Sequence, residues 1–144
     1  MTSRERVIRA IEFKGPDRIP VMHAALPAGI LFQDEWGTQR QLIINPKTWR
    51  ELFKPYYKKL FDTVHNSGRH VHFHTDGNTL DIIPDLIEIG VDVLNPQFSA
   101  VNLENLAKIA AGRVCIRSDI DRQYILTRAT PEEVDLYVKK IIKS

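Results

Sequence analysis

The sequence predicts an α/β fold with a parallel sheet, and three observations carry that expectation. Gly68, Gly90 and Gly112 follow one another at intervals of 22 residues. Each closes an apolar helical run, as a left-handed helix cap does. Each also opens a strand-like run, respectively "HVHFH", "VDVLN" and "RVCIR". Strands alternating with helices at this spacing are βα units, whose strands run parallel. With right-handed crossovers assumed, such units close either as an open doubly wound sheet or as part of a (β/α)8 barrel. A complete barrel takes about 250 residues, and this chain has 144.

The elements follow in order. Thr2 and Glu5 form a capping box ahead of the stripe Val7, Ile8 and Ile11, which predicts a first helix. "GPDR" ends it, and "RIPV", Arg18 to Val21, reads as a short extended segment. From Met22 to Gln41 no period stands out. Asn45 caps the next helix with Pro46 at its first position. Its stripe is Trp49, Leu52, Phe53, Tyr56, Tyr57, Leu60, Phe61 and Val64, and Pro55 predicts a kink over 51–54. The helices between the repeated strands run over Leu80–Ile89, with Pro84 near the start, and Leu103–Ala111. Thr130, Pro131 and Glu133 open the last helix, striped by Val134, Tyr137, Val138, Ile141 and Ile142. The chain thus reads as a single α/β domain over 1–144. An N-terminal helix and first strand occupy 1–22, an irregular junction 23–44, and the βα repeat region 45–144.

Composition narrows the function classes. Hydrophobic residues make up 43% and charged residues 26%, an ordinary globular balance. The net charge of +2 and the scattered basic residues argue against a nucleic-acid partner. No apolar run approaches the roughly 18 residues of a membrane span, and the charged N-terminus is unlike a secretory signal. The single cysteine, Cys115, forms no internal disulfide. A cytoplasmic protein is expected. Cys115 lies mid-strand and reads as a packed thiol, not a nucleophile.

Ligands of parallel α/β folds bind at the C-terminal ends of the strands. Those ends carry His74, Thr75, Asp76, Gly77 and Asn78, then Asn95, Pro96 and Gln97, then Ser118, Asp119, Asp121 and Gln123. Strand alternation puts His70, His72, His74 and Asp76 on one face, with Val71 and Phe73 on the other. Same-face neighbours lie about 6.5–7 Å apart, so two of the four can share a metal and the set cannot. His74 and Asp76 are the pair nearest the strand end. A third ligand would come from Asp119, Asp121 or His23. The competing reading is a His–Asp pair that binds substrate without metal. His65 reads as a surface or dipole-facing residue. No GxGxxG, P-loop, CxxC or HExxH motif is present.

Three stretches resemble the uroporphyrinogen decarboxylase superfamily: "MTSRERVIRAIEFKGPDRIPV", "HFHTDGNTLDIIPDLIEIGVDVLNPQ" and "DIDRQYILTRATPEEV". The branch they are most similar to is called uroporphyrinogen-decarboxylase-like and also contains cobalamin-linked methyltransferases. The likeness covers 1–22 and about 33–144. It implies a (β/α)8 barrel with its site at the mouth, present here as a partial, half-barrel-like version. Family decarboxylases remove acetate carboxylates from a tetrapyrrole with no metal or cofactor. Family methyltransferases use zinc to activate a thiol that accepts a methyl group from a corrinoid protein. Their zinc site has a His-x-Cys pair; His74 matches its histidine, and Asp76 stands in place of its cysteine.

The chain departs from the family in several places. Only the ten residues Ala24–Gln33 stand where the family carries further βα units. The chain stops after the Thr130 helix, before the strand bearing the remaining zinc ligand. The catalytic aspartate and arginine-rich opening of true decarboxylases have no match. A shortened barrel leaves edges unpaired, so a homodimer or larger assembly is expected. The resemblance implies tetrapyrrole decarboxylation or related methyl transfer, with His74 and Asp76 as catalytic residues. His72, Asn95, Gln97 and Asp121 would bind substrate, and His74 and Asp76 would hold zinc in the metal-dependent version. Substrate would be a tetrapyrrole or a corrinoid-linked methyl donor. The alternative is a non-catalytic barrel module that oligomerises without turnover.

Overall fold

The computed structural model describes residues 1–15, 29–117 and 119–143. The elements in order are α1 (Ser3–Ile11), β1 (Gly29–Gln33), α2 (Pro46–Leu52), α3 (Lys54–Asn66), β2 (His70–Thr75), α4 (Ile83–Glu88), β3 (Val93–Pro96), α5 (Leu103–Ala110), β4 (Cys115–Ile116), α6 (Ile125–Arg128) and α7 (Pro131–Lys143). Short 3-10 turns at Leu80–Ile82 and Phe98–Ala100 lead into α4 and α5.

The four strands pair in parallel in chain order, β1-β2-β3-β4. A doubly wound sheet reverses its strand order at a switch point. Among the described residues there is no reversal, so the sheet is a segment of a (β/α)8 barrel. The register aligns Leu31 with His72, His72 with Val93, and Val93 with Cys115. Aligned partners in a parallel pair share a face, so each row across the sheet belongs wholly to one side.

One side packs on the helices. Val71, Phe73 and Leu94 are fully buried there, with Trp49, Phe61, Ile82, Ile83 and Leu86 from the helical layer. Phe73 meets the rings of Tyr57 and Phe61 edge-on at 5.3 and 6.0 Å, and Phe61 meets Phe32 at 5.2 Å. Such pairs add about 0.5–1.5 kcal/mol each beyond their burial. The other side carries His70, His72 and His74 at the partly buried positions of β2. At its lower end Ile11 of α1 packs on Val93 and Cys115.

The helix signals act as the sequence predicts. Thr2 and Glu5 exchange both bonds of a capping box, at 2.7 and 3.2 Å, and so do Thr130 and Glu133, at 2.7 and 3.3 Å. The stripe from Trp49 to Val64 breaks at Phe53, which separates α2 from α3 two residues before Pro55. Asp85 of α4, buried, ties these helices together by accepting from Arg50 at 2.9 Å and Lys54 at 2.8 Å. Gly68, Gly90 and Gly112 all adopt positive φ, at 69°, 105° and 69°.

Three expectations change. The junction read over 23–44 contains a strand, β1, which pairs with β2 along its whole length. An isolated bridge from Gly37 to Leu42 also falls within it. The run "RVCIR" contributes a strand of two residues only. His65 is not merely a surface residue: its Nε2 meets Asp92 at 2.8 Å, and its ring fills the space beside Gly90. The segment "RIPV", His23 and Ser118 lie outside the described residues.

Candidate functional site

Every parallel strand delivers its last side chains to the same end of the sheet, and a cleft of about 260 Å³ lies there. It is bounded by Asp76 and Gly77 after β2, by Gln97 and Ser99 after β3, and by Asp119, Asp121 and Arg122 after β4. Gly37 and Gln39, beyond β1, complete it.

The turns after β1 and β2 touch through glycine. A Cβ on Gly77 would stand 2.2 Å from the carbonyl carbon and oxygen of Gly37, and φ at Gly77 is +80°. A Cβ on Gly37 would meet the Gly77 carbon and the Asn78 nitrogen at 2.7 Å. Only glycine at both places lets the two loops cross this closely. The crossing is fastened by Asn78 N–H donating to the Thr38 carbonyl at 2.7 Å.

Beside it, three donors converge. A ring nitrogen of His74 and carboxylate oxygens of Glu35 and Asp76 all lie within 4.8 Å of one another. His74 Nε2 stands 3.6 Å from Asp76 Oδ1 and 3.9 Å from Glu35 Oε1. The opposite ring nitrogen, Nδ1, lies 3.0 Å from the Asn95 carbonyl oxygen. A carbonyl only accepts, so Nδ1 carries a proton, and Nε2 is the ring nitrogen that faces the carboxylates. Glu35 is fixed in turn: its Oε2 accepts from the Asp76 backbone N–H at 3.0 Å. Arg122 reaches Asp76 Oδ2 at 3.4 Å, while Asp76 Oδ1 is buried without a hydrogen-bond partner among the described residues.

Of the residues the sequence singled out, His74 and Asp76 meet at this point. Gln97 lies in the cleft wall, where its Oε1 accepts from Gly77 N–H at 2.9 Å and Gln39 at 3.0 Å. Asp121 lines the cleft too, but one oxygen is held by the backbone N–H groups of Gln123 and Tyr124, at 2.7 and 2.9 Å. Asn95 is buried, and its amide donates to the Arg117 carbonyl at 2.9 Å, so its side chain joins β3 to the segment after β4. His72 sits deeper, against Gly29, with Nε2 buried and unpartnered among the described residues. Among the described residues the third member beside His74 and Asp76 is Glu35, whereas Asp119, Asp121 or His23 was expected, and His23 lies outside the described residues.

Glu35, Gln39, Ser99 and Arg122 went unnoticed in the sequence. A signal for Glu35 existed: "GILFQDE" has a glycine, an apolar run and then polar residues, as the other strands do. It falls outside the 22-residue spacing that made those strands visible.

His72 has a pH consequence. Burial, and then the charges of Arg117 and His70, hold its imidazole below the ordinary histidine value. The unfolded chain therefore takes up this proton first, near pH 6.5. The contribution of His72 to stability is complete above that pH and is lost as pH falls through the folded value. Urea melts at pH 7 and pH 5 should show the wild type losing more stability on acidification than His72→Gln. An equal loss in the two would contradict this.

No helix among the described residues is long and apolar enough to cross a membrane. A family model described as uroporphyrinogen decarboxylase (URO-D) matches residues 27–144. Neither the curated proteins nor the solved structures contain a significant match.

Proposed function

The chain belongs to the uroporphyrinogen decarboxylase family, and from that premise we propose that it performs divalent-metal-dependent group transfer at the strand ends. Within the family resemblance this is the methyl-transfer side, with a corrinoid-linked methyl donor. The observation that carries the reading is the convergence of Glu35, His74 and Asp76. One imidazole and two carboxylates make a borderline-to-hard donor set that takes zinc or iron and accommodates manganese better than a thiolate site does. Asp76 Oδ1, without a hydrogen-bond partner among the described residues, and the carboxylate-facing His74 Nε2 both fit such an ion. When bound, the metal would act as a Lewis acid on a substrate heteroatom. The chain itself supplies orientation: the Asn95 carbonyl holds the His74 ring, and the Asp76 amide holds Glu35.

Tetrapyrrole decarboxylation is the second reading, and the family match favours it. Arg122 would then pair a substrate carboxylate at the cleft. Asp76, Asp119 and Asp121 line the same cleft and oppose a substrate of many carboxylates, which ranks this reading lower. Cobalt(II) titration followed by absorption, beside assays of methyl transfer and decarboxylation, separates the readings. Stoichiometric cobalt binding that weakens in Glu35→Gln supports the metal site. Decarboxylation unaffected by a chelator would replace it, and neither binding nor turnover would leave a non-catalytic barrel module.

The same reading includes self-association. Among the described residues β1 stands at one edge of a four-stranded sheet with Ile30 and Leu31 exposed, and a second copy would supply the strands a closed barrel needs. Light scattering behind size exclusion should give a dimer or larger at micromolar concentration; a stable monomer would refute this.

A further inference from the structure

We propose that Tyr57, a residue of α3 that does not line the cleft, is the positioning residue for the Glu35 carboxylate. Its significance for catalysis rests on the metal reading above; the positioning itself does not. Glu35 is the most exposed of the three donors, its side chain 58% accessible against 15% for His74 and 35% for Asp76. A free glutamate on a loop loses rotamer freedom when it is held in one place. Something must therefore fix the backbone that carries it.

The residues on either side of Glu35 are both bonded to one phenol. Trp36 Nε1 donates to the Tyr57 oxygen at 3.0 Å, and the Tyr57 O–H donates to Asp34 Oδ2 in a short bond. The backbone is tied at the same two residues. Asp34 N–H donates to the His74 carbonyl at 3.2 Å, and Trp36 N–H donates to Oγ1 of the fully buried Thr75 at 3.1 Å. The Trp36 ring is lodged edge-on against Phe53 at 4.6 Å, Trp49 at 6.2 Å and Tyr57 at 6.3 Å. Tyr57 is itself buried, and its ring stacks on Trp49 at 5.8 Å. Glu35 is thus the middle residue of a clamped tripeptide, its carboxylate held by the Asp76 amide and aimed across the sheet end at His74 and Asp76. Burial, and then the Asp34 carboxylate, raise the Tyr57 pKa far above its ordinary value, so the phenol stays a donor throughout the working pH range.

Tyr57→Phe keeps the ring and removes both bonds; Asp34→Ala breaks the clamp from the exposed side without touching the core. In the metal-free chain the readout is the amide proton resonance of Asp76, which donates to Glu35 Oε2. Both variants should shift it in the direction that Glu35→Gln does. Cobalt(II) affinity should fall about tenfold in Tyr57→Phe, the lower end of what outer partners of a metal site contribute. In a Glu35→Gln background the same substitution should change affinity by less than about twofold, because a residue acting through Glu35 has nothing left to position. An unmoved Asp76 resonance in both variants overturns the proposal, and so does an affinity loss of equal size in both backgrounds, which marks a general loosening of the fold. Failure of the wild type to bind cobalt would overturn the metal reading alone, and the Asp76 resonance would then decide the positioning role.

Discussion

Replacing His74 with alanine is expected to lower cobalt(II) or zinc affinity at least about 100-fold and to take metal-dependent turnover with it. Removing outer partners of a metal site costs about 10–100-fold, and in the proposed site His74 would be a direct donor. The imidazole holds its place through one bond to the Asn95 carbonyl, on the ring nitrogen away from the carboxylates. That division of labour explains why the loss should be specific: the fold gives up one hydrogen bond, about 1 kcal/mol, while the proposed site would give up one donor of three. Circular dichroism and urea melts of His74→Ala should therefore stay close to wild type while isothermal titration shows no binding. Unchanged affinity would remove His74 from the site. Asp76→Cys sharpens the comparison, since a thiolate at that position should shift preference towards zinc and away from manganese.

Gly77→Ala is expected to be the most damaging single-methyl change at the site, at about 3–5 kcal/mol and a drop of about 10 °C or more in Tm. Two effects combine. Alanine at φ of +80° costs about 1–3 kcal/mol. The new Cβ would also stand 2.2 Å from backbone atoms of Gly37, which cannot rotate away as a side-chain end can. Gly68→Ala isolates the first effect: its φ is +69° and nothing lies within 4 Å of the added carbon. Gly68→Ala should thus lose about 1–2 kcal/mol. Equal melting temperatures for the two variants would show that the loops part easily and that the crossing is not a constraint.

The sequence was most legible where one short stretch contains the whole signal. Alternation over "HVHFHTD" placed His74 and Asp76 on one face and Val71 and Phe73 in the core, because the period of two lies inside a single strand. Thr2, Asn45 and Thr130 marked helix starts for the same reason, each cap bond spanning two or three residues. Glu35 was illegible for the opposite reason. It joins His74 through the parallel register that sets Gln33 beside His74, a pairing across 41 residues of chain. Hydrophobic periodicity does not encode such a pairing. β1 escaped notice because its run of apolar residues is short and half exposed at a sheet edge. The helix read over Leu80–Ile89 was right in place and shorter in fact: it opens as a 3-10 turn and becomes α-helical only at Ile83, with Pro84 in the first turn, where its missing N–H is harmless.

The division of β2 into two independent rows has a bearing on how proteins of this architecture diversify. Odd-numbered positions from Val71 to Thr75 carry the burden of folding, and even-numbered positions from His70 to Asp76 face the open side. One nucleotide change in an even codon can therefore exchange a ligating or proton-handling group while the packed layer behind it keeps its shape. Asp76 lies on that row, so at the proposed site such drift would change the donor set with the scaffold held constant.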